Sequence, residues 1–466
     1  MDEGAESTDP INSAESANAD ATGHRSDGPP ALTRLDQRFD AETRREAAEA
    51  LGNPSSSMSA YTNQIIEGLF TTALSDPDEM VRAAAIESLY FHGDEHVTQL
   101  AKQIADRRDT RTTEPNGEGH DATTMFSNWL DHDRAAYRMV AATGLAISGA
   151  ETASDQLTNA FSDDDSRVRA RAVKGYARVG GDTVSEVRPL VTATNKMVRR
   201  AAVAALIIIG TDEAVELLAR AARDGSEQLR ETVVARLEAL DRRDATGVLI
   251  RALQDPSQRV RQTAAASVAT VSGRAGSVPA GDIRDRLLDE RPFKPDGLPA
   301  TFQAVASEQT VAERLGATEG ETSNSTDNNT VDEQRYATWL YCELLEAADI
   351  TNADWSEAIN WLVDTLDHHD RLVADLTATY VPRIVSATAI DGAESTQVVT
   401  QRHEVDIEQA LRSLATDRNV SATARERAQA VLRRLKRAVA DAAANRDVEY
   451  VYVRRPADYT ENFEES

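Results

Sequence analysis

The chain has 466 residues, enough for two or three ordinary domains or for one extended repeat array. Its 78 acidic against 51 basic residues give a formal net charge of −27, which argues against broad binding to nucleic acid or to an anionic membrane, because phosphate contacts need clustered positive charge. The single cysteine, Cys342, excludes an intrachain disulfide and a cysteine-based structural zinc site.

The opening MDEGAESTDP is acidic and lacks an apolar core, unlike a secretory signal. Residues 1–30 are rich in Asp, Glu, Ser, Ala, Asn and Gly and are expected to be a disordered acidic tail. From Leu32 the pattern becomes helical, with Ala47, Ala48 and Leu51 standing to Arg44 as Ala85, Ile86 and Leu89 stand to Arg82. Gly52-Asn53-Pro54 stops this helix early, as a truncated first unit covering the open end of a stack would require. Helices are predicted over Tyr61 to Leu74, Pro77 to Phe91 and Asp94 to Ala105. The polar stretch at about 106–122, with Pro115, Asn116 and Gly117, is predicted as a loop insertion. Phe126, Trp129 and Leu130 resume the helical pattern.

The pairs Val168-Arg169, Val198-Arg199, Leu229-Arg230 and Val260-Arg261 then recur every 30 to 31 residues, and Val81-Arg82 and Tyr137-Arg138 share their register. Three residues after each Arg stand Ala85, Ala141, Ala172, Ala202, Val233 and Ala264; seven after stand Leu89, Leu145, Tyr176, Leu206, Leu237 and Val268. Eleven after stand Gly93, Gly149, Gly180 and Gly210, then Asp241 and Ser272. Small residues at one helical position let neighbours approach, and large ones a turn later fill the space between layers. The period predicts stacked helix pairs, an all-α superhelical solenoid over residues 31–290.

The phrase D-x-x-x-x-V-R-x-A-A-x-x-A-L-x-x-x-G resembles the HEAT-like repeats of the phycobilisome-lyase type. Asp76, Asp163, Asp224 and Asp255 each lie six residues before the repeat Arg, whereas His132 and Ala193 depart from the pattern. The resemblance covers about residues 60–273. It implies that the Asp and Arg form ladders between neighbouring units, and that the repeat arginines are structural.

Beyond Gly273 the register fails. Ile283 to Leu288 is predicted as one more helix at the end of the array, and a linker region, 291–330, holds one helix, Phe302 to Leu315, and the polar run ATEGETSNSTDNNT. Residues 331–446 are expected to form a divergent C-terminal helical domain, with helices over Trp355 to Leu366, Leu372 to Val385, Val405 to Leu414 and Val420 to Val439. The tail 447–466 contains VEYVYVRR, a candidate short strand.

Arg167, Arg171, Lys174 and Arg178 are spaced four, three and four apart, which places them on one helix face. Lys196 and Arg200 of the next unit are candidates to extend this stripe. In HEAT-type solenoids such second helices line the concave surface, so these six residues form a candidate docking site for an acidic partner, a phosphate or a phosphoprotein. A second basic region comprises Arg425, Arg427, Arg433, Arg434, Lys436 and Arg437, with Arg454 and Arg455 beyond; it offers little aromatic interleaving for base stacking. His92, His96, His132, His368 and His369 fall at inter-helix turns and suggest no metal site. HEAT-like deoxyhypusine hydroxylases carry paired His-Glu motifs; this chain has His403-Glu404 alone. No G-x-x-x-x-G-K-[ST] loop and no G-x-S-x-G elbow occur.

Lys appears only at Lys102, Lys174, Lys196, Lys294 and Lys436, and this Lys-poor, acidic balance resembles the proteome of a salt-loving archaeon. The expected function is a non-enzymatic, soluble, cytoplasmic scaffold that binds a protein partner, without cofactor or metal. Repeat type and composition also resemble HEAT-repeat accessory proteins of haloarchaeal chemotaxis and motility. The alternatives are a lyase-like or metal-dependent modification enzyme, and a nucleic-acid-binding protein related to HEAT-like DNA glycosylases.

Overall fold

A computed structural model describes residues 29–53, 56–112, 122–149, 152–274, 276–289, 298–307, 326–347, 355–388 and 407–444. The fold is all-α, and no strand occurs among the described residues. Residues 1–28, 308–325, His403-Glu404 and the tail 445–466 lie outside them, and with them the expected disordered tail, most of the polar linker and the candidate strand. The chain divides into two compact units, up to Ile104 and from Ala105 onward.

The first unit contains α1 (Pro30–Arg34), α2 (Ala41–Leu51), α3 (Thr62–Ser75), α4 (Glu79–His92) and the start of α5 (Asp94–Thr112). Asp40 caps α2 by accepting the Thr43 amide, and Asp78 caps α4 by accepting those of Met80 and Val81. Ala47, Ala48, Leu51, Ala85, Ile86 and Leu89 are all buried, so the truncated first unit packs as its register predicts. The Ser88 hydroxyl donates to the Ala48 carbonyl at 2.7 Å, and a side chain at Gly52 would run into Ser88. Helix α5 continues to Thr112, through the first part of the predicted loop insertion, because ADRRDTRT holds neither Gly nor Pro to stop it.

In the second unit the first helices are α6 (Ala122–Leu130), α8 (Ala153–Asn159), α10 (Val184–Val187), α12 (Asp212–Asp224) and α14 (Arg243–Ala252). The second helices are α7 (Ala135–Ser148), α9 (Ser166–Arg178), α11 (Lys196–Ile209), α13 (Glu227–Leu237) and α15 (Gln258–Gly273), each packed against the next. Helices α16 (Ala280–Asp289) and α17 (Leu298–Ala306) follow. The positions three and seven after each repeat Arg are buried from Ala85 through Val268. Of the glycines eleven after it, Gly149 and Gly210 adopt the left-handed conformation, φ 65° and 60°, that ends α7 and α11.

Among the described residues of the array, the predicted ladder forms at Asp76, Asp163 and Asp255, where each rung has three parts. The repeat Arg first satisfies the carbonyls that end its own inter-helix turn: Arg138 donates to His132 and Asp133, Arg199 to Ala193 and Thr194, and Arg261 to Asp255 and Pro256. It then reaches the next unit as a two-pronged pair, Arg44 on Asp76, Arg138 on Asp163 and Arg230 on Asp255, with bonds of 2.7 to 3.0 Å. The same Asp carboxylates accept the amide two residues on, that of Asp78, Asp165 or Ser257, which fixes the cap of the following helix.

Two departures are informative. Asp224 makes no rung because α12 runs through it and leaves its carboxylate on Arg223; Arg199 bonds Gln228 instead. His132 does part of an aspartate's work, since its Nδ1 accepts the Arg134 amide at 3.0 Å. The C-terminal helices repeat this substitution. There His368 Nδ1 accepts the Asp370 amide, and its Nε2 lies 3.1 Å from the side-chain nitrogen of buried Gln334, at the place where Arg and Asp meet elsewhere. A charged rung, Arg335 on Asp370 at 2.7 Å, lies beside it.

Helix Thr326–Ala347 begins inside the predicted polar linker and packs on α15 and α17. Helix Arg371–Thr388 packs on it in turn, and Ala422–Ala444 on that. Cys342 is buried in the first of these, and burial pushes its thiol far above its usual range, consistent with a packing residue.

Burial opposes the charge of Asp255 and Asp370, but the arginines and backbone amides prevail and hold both below the usual carboxylate range. A carboxylate depressed in the folded state stabilises fully above its unfolded pKa, about 4, and that stabilisation fades as pH falls through the folded value. Thermal stability is therefore expected to drop below about pH 4. The Asp255→Asn variant should be less stable at pH 7 and converge on the parent in acid, as melting curves from pH 7 to 2 would show.

Candidate protein-interaction surface

Helices α7, α9 and α11 form three adjacent second-helix ridges. Their sequences, AAYRMVAATGLAIS, SRVRARAVKGYAR and KMVRRAAVAALIII, contain no Asp or Glu, although the chain carries 78. They hold one basic residue on α7, five on α9 and three on α11. The neighbouring ridge differs, since α13 has Glu227 and Glu231; α4 of the first unit likewise has Glu79 and Glu87. Helix α15 is also acid-free, but Thr326–Ala347 and α17 pack on it.

The six candidate residues play unequal parts. Arg167 folds back on Asp165, the cap of α9, through contacts of 2.6 to 3.1 Å. Burial opposes the charge of Asp165, but Arg167 and the backbone hold its carboxyl below the usual range. Arg171 is only 9% exposed and lies 3.4 Å from the Thr143 hydroxyl of α7. Lys174 is half-buried. Arg178, Lys196 and Arg200 are exposed and make no ion pair among the described residues.

The structure does not continue the stripe in a straight line onto α11. The four α9 positions lie two before and two, five and nine after the repeat Arg. Their counterparts on α11 are Met197, Ala201, Ala204 and Ile208, and on α7 they are Ala136, Val140, Thr143 and Ile147. Lys196 and Arg200 sit three before and one after Arg199, rotated onto another flank of α11. The basic ridge of α9 is thus bordered on both sides by small and apolar positions. Ile147, Met197 and Ile208 are 41, 38 and 47% exposed. The surface combines guanidinium and ammonium groups with aliphatic side chains, while the ridge aromatics Tyr137 and Tyr176 are buried.

The second basic region is more committed. Arg427 pairs with Asp375 at 2.8 Å and Lys436 with Glu408 at 3.3 Å, while Arg433 and Arg434 stay on the surface. His92 contacts the Leu51 carbonyl at 2.7 Å, so this histidine, like His132 and His368, serves a helix turn. Among the described residues no three His, Cys, Asp or Glu groups gather as metal ligands would, and no helix is long and apolar enough to cross a membrane.

Stacked helix pairs joined by Arg–Asp rungs define a helical-repeat protein. Residues 28–114 and 154–236 match the HEAT repeats family, so the chain carries HEAT repeats. Helix α7 lies between the matched stretches, and its Arg138–Asp163 rung joins it to the second. Among solved structures, the X-ray structure of YibA from Escherichia coli is similar at 16% identity, over 61% of this chain and 98% of that one, with a TM-score of 0.29. No curated protein matches the chain.

Proposed function

We propose that this protein is a non-enzymatic HEAT-repeat scaffold whose α7–α9–α11 face binds an acidic protein partner. The observation that carries this reading is the absence of Asp and Glu from three successive ridges of a chain with net charge −27, together with exposed Ile147, Met197 and Ile208. Aliphatic groups supply burial at about 25 cal/mol per Å², and free cations select an acidic complement. The lack of exposed ridge aromatics favours a protein over single-stranded nucleic acid, which stacks its bases on such rings. The Lys-poor acidic composition suits a salt-rich cytoplasm, where a Debye length near 3 Å at about 1 M salt leaves only direct contacts effective. Repeat type and composition are what support a haloarchaeal source, the phycobilisome-lyase type of repeat and a place in taxis signalling.

The test is affinity capture in molar salt with the parent chain and two variants. Arg178→Glu/Lys196→Glu/Arg200→Glu reverses the free cations of the face and is expected to weaken partner retention at least tenfold; Arg433→Glu/Arg434→Glu is expected to retain it. Arg171 is left alone, because its burial would confuse folding with binding. Equal retention by both variants would remove the face from consideration. Capture of nucleic acid or a bound metal in place of a protein would favour the corresponding alternative.

A further inference from the structure

Among the described residues six large apolar side chains are exposed: Met80, Phe91, Ile147, Met197, Ile208 and Leu372. In repeat register they fall at two positions. Met80, Met197 and, counted from Ala374, Leu372 stand two before the repeat Arg position; Phe91, Ile147 and Ile208 stand nine after it. The two positions are eleven residues apart, about three helical turns, and so lie along one line on a second helix. Apolar exposure is thus tied to two register positions instead of being scattered over the surface, as at contact sites. In the second compact unit the positions nine after the Arg read Ile147, Arg178 and Ile208 on the successive ridges α7, α9 and α11. Arg178 is exposed and makes no ion pair among the described residues, whereas Arg167 is held by Asp165 and Arg171 is buried.

The ridges stand close together. Gly175 of α9 faces α7, and a Cβ there would lie 3.0 Å from that of Ala146 and 3.4 Å from the Ala142 carbonyl oxygen. Arg178 follows Gly175 by three residues and Ile147 follows Ala146 by one, so this contact holds Arg178 and Ile147 at matching levels of adjacent helices. Packed helices lie about 8–10 Å apart, and a glycine contact draws a pair toward the close end. A polyproline II chain presents the same face every three residues, about 9.3 Å, which falls in that range. An α-helix returns to a face after seven residues, about 10.5 Å, and a strand does so at about 6.8 or about 13.6 Å. Taking the α7–α9–α11 face as the docking site, we propose that the partner enters it as an extended segment, aliphatic-x-x-acidic-x-x-aliphatic, in polyproline II conformation. Its carboxylate lies on Arg178 and its two aliphatic side chains on Ile147 and Ile208. The guanidinium fork takes a carboxylate through two parallel bonds, and the flanking isoleucines keep water from them.

The test titrates the full chain into fluorescein-labelled Leu-Pro-Ser-Glu-Pro-Ser-Leu in molar salt, read by fluorescence anisotropy, with thermal melts of every variant. Saturable binding to the parent is expected, weakened about tenfold by Arg178→Gln, by Ile147→Ala/Ile208→Ala, or by exchanging the Glu of the peptide with the Ser before it. The peptide Leu-Pro-Ser-Lys-Pro-Ser-Leu is expected to bind Arg178→Glu and not the parent, a reversal that a folding defect would not produce. Equal binding of the two Glu peptides, or failure of that charge swap, would overturn the proposal. Absence of peptide binding while Arg178→Glu/Lys196→Glu/Arg200→Glu still loses the captured protein would overturn the extended segment and leave the face as the docking site. Equal capture by the parent and that triple variant would overturn both.

Discussion

Replacing Asp76 by alanine is expected to destabilise the first compact unit by about 3–5 kcal/mol, the cost of leaving one member of a buried ion pair without its partner. The Asp76 side chain is 2% exposed and that of Arg44 is 7% exposed. The carboxylate accepts from Arg44 Nε at 2.8 Å, from Arg44 Nη2 at 2.9 Å and from the Asp78 amide at 2.9 Å, while the Asp76 carbonyl accepts from Arg82. Removing the carboxylate strands the Arg44 guanidinium with the Phe39 carbonyl and loosens the entry to α4. The exposed Arg45–Glu42 pair, 26% and 66% accessible, provides the control. Glu42→Ala should leave the earliest transition close to that of the parent, because solvent screens such pairs and the side chains lose entropy in forming them. Urea unfolding followed by circular dichroism, with the earliest transition compared among parent, Asp76→Ala and Glu42→Ala, measures both. Equal small shifts would mean that apolar packing alone holds this unit together.

Much of this architecture is legible in the sequence because stacked repeats satisfy the same local constraints again and again. A small residue three after the Arg, alanine in all but Val233, and a larger apolar one seven after it are buried from Ala85 to Val268, since one side of every second helix meets a neighbour. What escapes notice is chemistry that a different residue type can perform. His132 departs from the Asp pattern, yet its ring nitrogen accepts the same amide. Asp224 fits the pattern but is the last residue of α12, which runs on to its cap at Gly225 and so keeps the carboxylate out of the turn. In the C-terminal helices Gln334 and His368 lie where Arg and Asp meet elsewhere and the repeat Arg position holds Ala374, so an Arg–Asp search passes over them. The basic stripe shows the limit of spacing: positions four, three and four apart share a face, but the neighbouring ridge decides that Arg171 is buried and Arg178 exposed. The approach of Arg286 to Gly247 is harder still to foresee, because it comes from a helix outside the register.

The placement of the α7 ridge depends on one close approach, and breaking it should have the second large effect. Phe126 of α6 is fully buried, and a Cβ on Gly144 would fall 2.4 to 2.5 Å from three of its ring atoms. Valine at position 144 must therefore push the ring or the helix aside. The expected cost is about 1–3 kcal/mol for overpacking, only partly offset by leaving behind the roughly 1 kcal/mol helix penalty of glycine. Phe126→Ala alone should cost about 3–5 kcal/mol by opening a cavity. In the double variant the valine enters space that the ring has vacated, so the combined loss should fall short of the sum by about 1 kcal/mol or more. Denaturant unfolding of the four chains measures that coupling; strict additivity would show that the two residues do not share the site. Because Ile147 lies three residues beyond Gly144 on the same helix, Gly144→Val should also disturb partner capture, whereas the double variant should recover part of it. Loss of stability and loss of binding would then both be reduced by the same second substitution, as expected if α6 sets the position of the ridge that meets the partner.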